Sequence, residues 1–467
     1  MIEQNVSRAV KYTAMAHRFQ NIDRNTPLLL PPDLRDWVAE DDLVHFVISA
    51  AERLPLSTFA VNHKGCGDAQ YPPHAMLALL IYCYANGVFS SRRIERATYR
   101  DVAVRYLMGN RHPDHDSICA FRRHNLEAIA RAFVDVLELA RELKLLHLGT
   151  VSLDGTHIKA SASKDKNVTY QRAQQLRAQL RLDVDQLLAQ AQQADAQEED
   201  RQKLPQEIAR REKLLAKMDA ACAQLEARAQ ARAVQEKAEY EAKLAARAER
   251  KGPQGRPPVE PPSTPAPDDQ INLTDPDARL MRKSKREGYT QSYNAQAVVE
   301  AEGSRLIVGQ RVSTSAGDQV ELVADLESIP ATLGQPTVAL ADCGFVNRAA
   351  FAQLAQSHPN LHLYVSVQRE DAHAERRYDY RPLDKIKPPQ KIIDPALMAM
   401  AAKLGTPEGR KMYRRRASTV EPVFGIIKAA MGFRQFLLRG LHKVTGEWNL
   451  VCLAYNLRRL HRLPRAA

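Results

Sequence analysis

LGTVSLDGTHIKA, residues 148–160, is the stretch on which the fold turns. Before it, apolar residues recur at helical spacing. From Gly149 the period changes, and Val151 and Leu153 lead straight into Asp154 as a buried strand would. Further strands are expected at YNAQAVVEA (293–301), RLIVGQRVS (305–313), TVALAD (337–342) and LHLYVSV (361–367), with helices at Gln319–Leu326 and Ala349–Ser357. Strands first, then strands alternating with helices, predict an α/β core: a mixed sheet with flanking helices.

Residues 1–147 read as an all-helical domain. Leu43, Phe46, Val47 and Ala50 share one helical face, as do Met76, Leu79, Leu80 and Cys83, and Pro72-Pro73 suits a helix start. Short helical pieces follow at Ser91–Thr98, at Asp101–Leu107 and from about Asp116. Small helices with Arg92, Arg93, Arg96, Arg122 and Arg123 exposed resemble helix-turn-helix modules, so this domain is expected to bind DNA. A helical bundle with a basic surface is the plainer alternative.

Residues 168–250 are rich in Ala, Gln, Glu, Arg and Leu. Leu176, Leu180, Val184, Leu187 and Ala191 form one stripe. Ile208, Leu215, Met218, Cys222, Leu225 and Ala229 follow a heptad that Arg211 interrupts. With Pro205 between the two stripes, a long coiled-coil-like helical hairpin is expected, inserted into the α/β core. Residues 251–270 form a Pro-rich linker. The core itself is assigned to 148–167 and 271–467.

The chain has 467 residues and a net charge of +12, which favours a polyanionic partner. No apolar run is long enough for a membrane span, and the N-terminus lacks a signal-peptide core, so a cytoplasmic protein is expected. Six cysteines stand far apart, at 66, 83, 119, 222, 343 and 452, and suggest neither a zinc knuckle nor a disulfide framework. Cys343, although beside Asp342, reads as a small packed side chain. Arg282, Lys283, Lys285 and Arg286 precede a strand and could contact a DNA backbone, as could Lys159. His157 reads as structural, because hard cations prefer oxygen.

Three acids carry the chemistry. Asp154 and Asp342 each end a strand, with Gly344 permitting a sharp turn, and Glu421 lies in YRRRASTVEPVFGIIK (413–428). Pro422 fits only the first turn of a helix, so Ser418 or Thr419 is a natural cap and Glu421 sits where the helix dipole favours its charge. Lys428 is then two turns along the same face. An Asp after a strand is usually a turn former or cap. The order of the three is more telling than any one of them, because carboxylates at adjacent strand ends can hold the two metal ions that phosphodiester chemistry uses.

That order resembles the ribonuclease H-like core of DDE transposases. The last segment is similar to the Tyr-Arg-Glu-Lys signature of bacterial insertion-sequence transposases, with Tyr413, Arg416, Glu421 and Lys428 matching. The Arg–Glu spacing is one residue longer than usual, which leaves Arg414 and Arg415 as alternatives to Arg416. The resemblance implies an enzyme that cuts transposon ends and joins the 3′-hydroxyl to target DNA. It further implies Mg2+, or Mn2+ in its place, held by Asp154, Asp342 and Glu421. The implied partners are double-stranded DNA (terminal repeats and target) and further copies of the chain in a homodimer or higher oligomer at the bacterial nucleoid. A metal-dependent nuclease on the same core and a non-enzymatic DNA-binding scaffold are the competing readings. Glu408 and Glu447, the nearest glutamates on either side of Glu421, are expected to tolerate Gln.

Overall fold

The computed structural model describes residues 20–25, 33–61, 69–193, 203–248, 257–282, 288–367 and 392–463. Six helices come first: α1 (Leu43–Glu52), α2 (Pro73–Ala85), α3 (Ser91–Arg100), α4 (Val102–Leu107), α5 (His115–His124) and α6 (Leu126–Glu142). Next are β1 (Thr150–Lys159), β2 (Asn167–Thr169), α7 (Tyr170–Gln193), α8 (Lys203–Ala248), β3 (Gln270–Asn272), β4 (Arg279–Met281), β5 (Thr290–Glu300) and β6 (Ile307–Ser313). The chain continues through α9 (Leu322–Glu327), β7 (Val338–Ala341), α10 (Arg348–Ser357), β8 (His362–Val365), α11 (Pro395–Gly405), α12 (Pro407–Arg414), α13 (Val420–Gly425) and α14 (Leu441–Arg462). Two compact units result, one of residues 1–158 with 294–467 and one of Lys159–Tyr293.

In the first unit β1, β7 and β8 run parallel, and β6 pairs antiparallel with β5, which neighbours β1. The sheet is mixed and the surrounding layers are helical. β1 differs from expectation in one respect: it does not stop at Asp154 but runs on to Lys159. Its pairing with β7 ends at Ser152, so Asp154 lies on a strand that has lost its neighbour on that side.

α14 organises this unit. Residues Trp448 to Leu457 are buried without a break, as expected of a helix enclosed on all sides. It packs on α2, α6 and β6. A Cβ at Gly446 would meet the Leu126 side chain, so glycine is what lets α14 and α6 approach. Trp448 Nε1 donates to Gln296 O (3.0 Å), and the Asn456 amide satisfies both N and O of Ile307 at the start of β6.

One sequence expectation fails here. Arg122 is buried rather than exposed: its Nη1 donates to Tyr84 Oη at 2.7 Å, and Tyr84 donates to Glu447 Oε1 at 3.3 Å. Glu447 is fully buried, and its Oε2 accepts the backbone N–H groups of Leu437 (2.9 Å) and Leu438 (3.0 Å). Burial pushes the Glu447 carboxyl up, and Arg122 opposes the shift. Short polar helices usually carry their arginines exposed, whereas α5 turns this one toward the only kind of partner that tolerates it inside. Glu447 thus sits in the core, unlike the exposed Glu408.

In the second unit α7 and α8 pack against each other. Ala173, Leu180, Met218 and Cys222 make its centre, while Ala221 and Leu225 pack with Ile271 of the small β2–β3 ribbon. Arg211, the heptad interruption, pairs with Asp183 of the opposite helix at 3.2 Å. The end of the Pro-rich stretch is tied down, with the N–H groups of Gln171 and Tyr170 donating to Pro267 O and Asp269 O. β4 pairs with the first residues of β5.

Truncating Glu447 or Arg122 to Ala should destabilise the protein by about 3–5 kcal/mol, because each leaves the other charge buried alone. Urea unfolding followed by tryptophan fluorescence reads this, and Glu408→Gln, exposed in the first turn of α12, should unfold with the wild type.

Candidate active site

β1 and β7 pair in parallel with Thr150 opposite Val338 and Ser152 opposite Leu340, an offset of 188 residues. Asp154 and Asp342 have that same offset. Continuing the register by two residues matches Asp154 to Asp342 just beyond the last paired residues, and the Asp342 charge acts on the Asp154 carboxyl. Each has one oxygen fixed locally. Asp342 Oδ1 accepts Gly344 N (2.7 Å), capping a 3-10 turn at Cys343–Phe345, and Asp154 Oδ1 accepts Gly155 N (2.9 Å). Burial and the adjacent Asp342 push the Asp154 carboxyl up to about 7, against the pull of Arg416.

Arg416 joins this pair to Glu421. Its Nη1 lies 3.7 Å from Asp154 Oδ2 and its Nη2 lies 3.2 Å from Glu421 Oε1. Its Cζ stands 5.9 Å from the centre of the Tyr413 ring. Of the three consecutive arginines, Arg416 is the one drawn inward; Arg414 and Arg415 line an open concavity with Pro407, Arg410, Lys411 and Ser418. Glu421 is in the first turn of α13 as expected, but neither candidate cap bonds that helix. Ser418 and Thr419 both donate to Arg415 O instead.

Lys428 lies in a π turn, Ile426–Ala430, which widens the helix and moves it off the α-helical face shared with Glu421. Its Nζ donates to Thr156 Oγ1 (2.5 Å) and His157 O (3.1 Å), pinning the part of β1 just beyond Asp154. His157 Nε2 is 3.2 Å from Ala316 O.

Sequence reasoning alone misses Asp318. Its Oδ1 accepts Asn294 Nδ2 (2.8 Å) and Gln296 Nε2 (2.6 Å), both from β5. A Cβ on Gly155 would meet that same oxygen and Gln296 Nε2, and would lie 2.8 Å from Asn294 Oδ1. Gly344 is needed for space, too, and not for a turn: its φ is not positive, and a Cβ there would lie 2.9 Å from Asp342 Oδ1 and 3.4 Å from Asp318 Oδ2. The available signal is the alternation Asn294–Gln296, two polar residues on one face of a fully buried stretch of β5.

The other expected DNA contacts are dispersed. Arg123 is exposed on α5. Lys159, exposed, belongs to the second unit, as does Arg282, whose Cζ is 4.9 Å from the centre of the Tyr289 ring. Lys283, Lys285 and Arg286 lie outside the described residues.

Residues 386–461 match a family model described as Transposase DDE domain, and residues 32–124 match one described as Transposase domain (DUF772). These matches support a bacterial insertion-sequence transposase of the DDE type. No curated protein and no solved structure matches the chain. The first match spans Tyr413, Arg416, Glu421, Lys428 and most of α14; the second spans α1 to α5; Asp154 and Asp342 lie outside both. A transposase DDE domain implies an enzyme acting on DNA, of a kind that generally uses divalent metals. The oxygen donors at hand suit such ions, and burial together with the Asp342 and Asp318 charges raises Asp154 against the pull of Arg416. Among the described residues no three acidic, histidine or cysteine side chains yet converge on one point. Arg416 stands between Asp154 and Glu421. No described helix is long and apolar enough to cross a membrane.

Gly155→Ala should leave the far-ultraviolet circular dichroism unchanged yet reduce DNA cleavage about 100-fold, since a shift of about 1 Å in a reacting group has that effect. Gly317→Ala, where an added methyl meets nothing within 4 Å, should cleave normally.

Proposed function

We propose that the chain is a DNA transposase with a ribonuclease H-like core, which cuts transposon ends and transfers the freed 3′-hydroxyl to target DNA. Asp154, Asp342 and Glu421 are its catalytic carboxylates. The observation that carries this reading is the shared offset of 188 residues, which sets Asp154 beside Asp342 while Arg416 links the pair to Glu421. Bound Mg2+, or Mn2+ in its place, would activate the attacking oxygen and stabilise the leaving one.

The protein's own groups do the rest. Asp154 would offer its free oxygen from the middle of β1 and Asp342 from the end of β7, and Glu421 would supply a third from α13. Arg416 can move its two guanidinium nitrogens from carboxylate to the scissile phosphate, whose geometry the same fork fits. Tyr413 packs beside it. Lys428 keeps β1 and the π turn together, so that Asp154 and Glu421 hold their spacing. Around this centre, the concavity with Arg410, Lys411, Arg414 and Arg415 would follow the DNA backbone. Arg123, Lys159, Arg282, Lys283, Lys285 and Arg286 would extend the contact, and the helical hairpin would serve as an arm that pairs two copies on two transposon ends.

Asp154→Asn, Asp342→Asn and Glu421→Gln should each lower cleavage of end DNA by orders of magnitude with little change in DNA affinity. Two together should add little to one, because the three act as a unit. The assay is gel-resolved cleavage and strand transfer with Mg2+ titrated in. Cutting without joining would favour a nuclease, and binding with no metal requirement would favour a scaffold. Should Glu421→Gln cut at the wild-type rate, the third carboxylate is elsewhere.

Replacing Arg414 and Arg415 together with Ala should weaken binding of any duplex. It should also flatten the salt dependence, by about one unit of slope for each phosphate the protein no longer neutralises. Filter binding between low and physiological salt measures this, and an unchanged slope would take α12 and its following turn out of the interface.

A further inference from the structure

We infer that Asp318 is a further metal-holding carboxylate of this site, clamped through Oδ1 by Asn294 and Gln296 and offering Oδ2 beside Asp342. The inference rests on the metal-dependent reading above and adds a ligand that the three-carboxylate pattern does not contain.

Two glycines bring these groups together. A Cβ on Gly155 would run into Asp318 Oδ1, Gln296 Nε2 and Asn294 Oδ1, so all three close directly on the backbone after Asp154, and a Cβ on Gly344 would stand 2.9 Å from Asp342 Oδ1 and 3.4 Å from Asp318 Oδ2. Asp318 thus reaches from the β5 amides to the oxygen of a proposed catalytic carboxylate. The two amide donors, at 2.8 Å and 2.6 Å, hold it in one orientation. Among the described residues, Oδ2 accepts no hydrogen bond.

A second observation points the same way and does not depend on any acid. Asn294 and Gln296 are 1% and 0% exposed, and their side-chain carbonyl oxygens, Asn294 Oδ1 and Gln296 Oε1, have no hydrogen-bond partner. Asn294 Oδ1 packs against Gly155, 2.8 Å from where a Cβ would stand. Buried acceptors are rarely left unmatched, and an amide oxygen is a hard donor of the kind that divalent magnesium or manganese takes. A purely structural Asp318, holding the loop after β6, would account for the two amide donors but not for an amide oxygen left unpaired beside it.

Mn2+ binding to the full-length protein, read by electron paramagnetic resonance of the free ion, tests this without reference to activity. Asp318→Asn with a wild-type melting temperature should bind Mn2+ about 10–100-fold more weakly, the usual penalty for a lost supporting ligand. Asp154→Asn should be weakened at least as much. In Asp318→Cys the thiolate prefers softer ions, so it should gain a Cd2+–thiolate ultraviolet band over the wild type. A folded Asp318→Asn with unchanged Mn2+ affinity, alongside a weakened Asp154→Asn, overturns the inference while leaving the metal reading intact. If Asp318→Asn fails to fold, absence of the Cd2+ band in folded Asp318→Cys overturns it instead. Unchanged affinity in both Asn variants overturns the metal reading and Asp318 with it.

Discussion

Glu447 is the constraint on which the first unit depends. A carboxylate without exposure must find donors for both oxygens, and it finds them in three places: the Tyr84 hydroxyl on α2, and two backbone N–H groups before α14. Tyr84 in turn takes Arg122 from α5. Helices that are distant in sequence are thereby fixed around one buried charge. Apolar contact alone would let them slide, whereas a buried ion with directional partners fails in every other register. One residue along, Trp448 ties the same helix to β5 through Gln296 O. The anchor on the helical side and the anchor on the sheet side are adjacent residues of α14.

Gln296 carries this coupling to the chemistry. Its backbone carbonyl receives Trp448, and its side-chain amide holds Asp318. The burial of α14 therefore positions the acidic centre at one remove. Arg416 has the opposite character: its Nε is buried without a partner, and its two terminal nitrogens serve separate acids at 3.7 Å and 3.2 Å. Such a group is poised between partners, as a cation must be if it is to take up phosphate.

Much of this is legible in the sequence because strand pairing leaves a direct trace. Val151 and Leu153 before Asp154, and Val338 to Ala341 before Asp342, are short apolar runs ending in an acid, and two such runs become neighbours in a parallel sheet. The register itself is not legible, since nothing in either run says which residue meets which. The extent of β1 escapes the sequence because pairing with β5 carries it past the point where β7 stops. Arg122 and Glu447 escape it because burial of a charge depends on a partner hundreds of residues away. Asp318 is invisible because it sits in a loop, and nothing in the sequence says which residue of that loop meets Asn294 and Gln296. The ambiguity over Arg416 is real in the sequence: only packing separates it from Arg414 and Arg415.

The path of the chain around β1 and β5 has one more consequence. Ala301 N donates to Thr150 O and Ala160 N to Gln291 O, so the two strands lie antiparallel, joined by everything from Lys159 to Tyr293. Topologically the whole second unit is the loop of a β-hairpin. The entropy of closing a loop grows only with the logarithm of its length, about 0.6 kcal/mol for each doubling. The core is thus nearly indifferent to how much chain is carried there. Relatives that keep the β1–β5 pair could carry a longer arm, a shorter one or a bare turn at this position, and the length of the arm is free to follow whatever it grips.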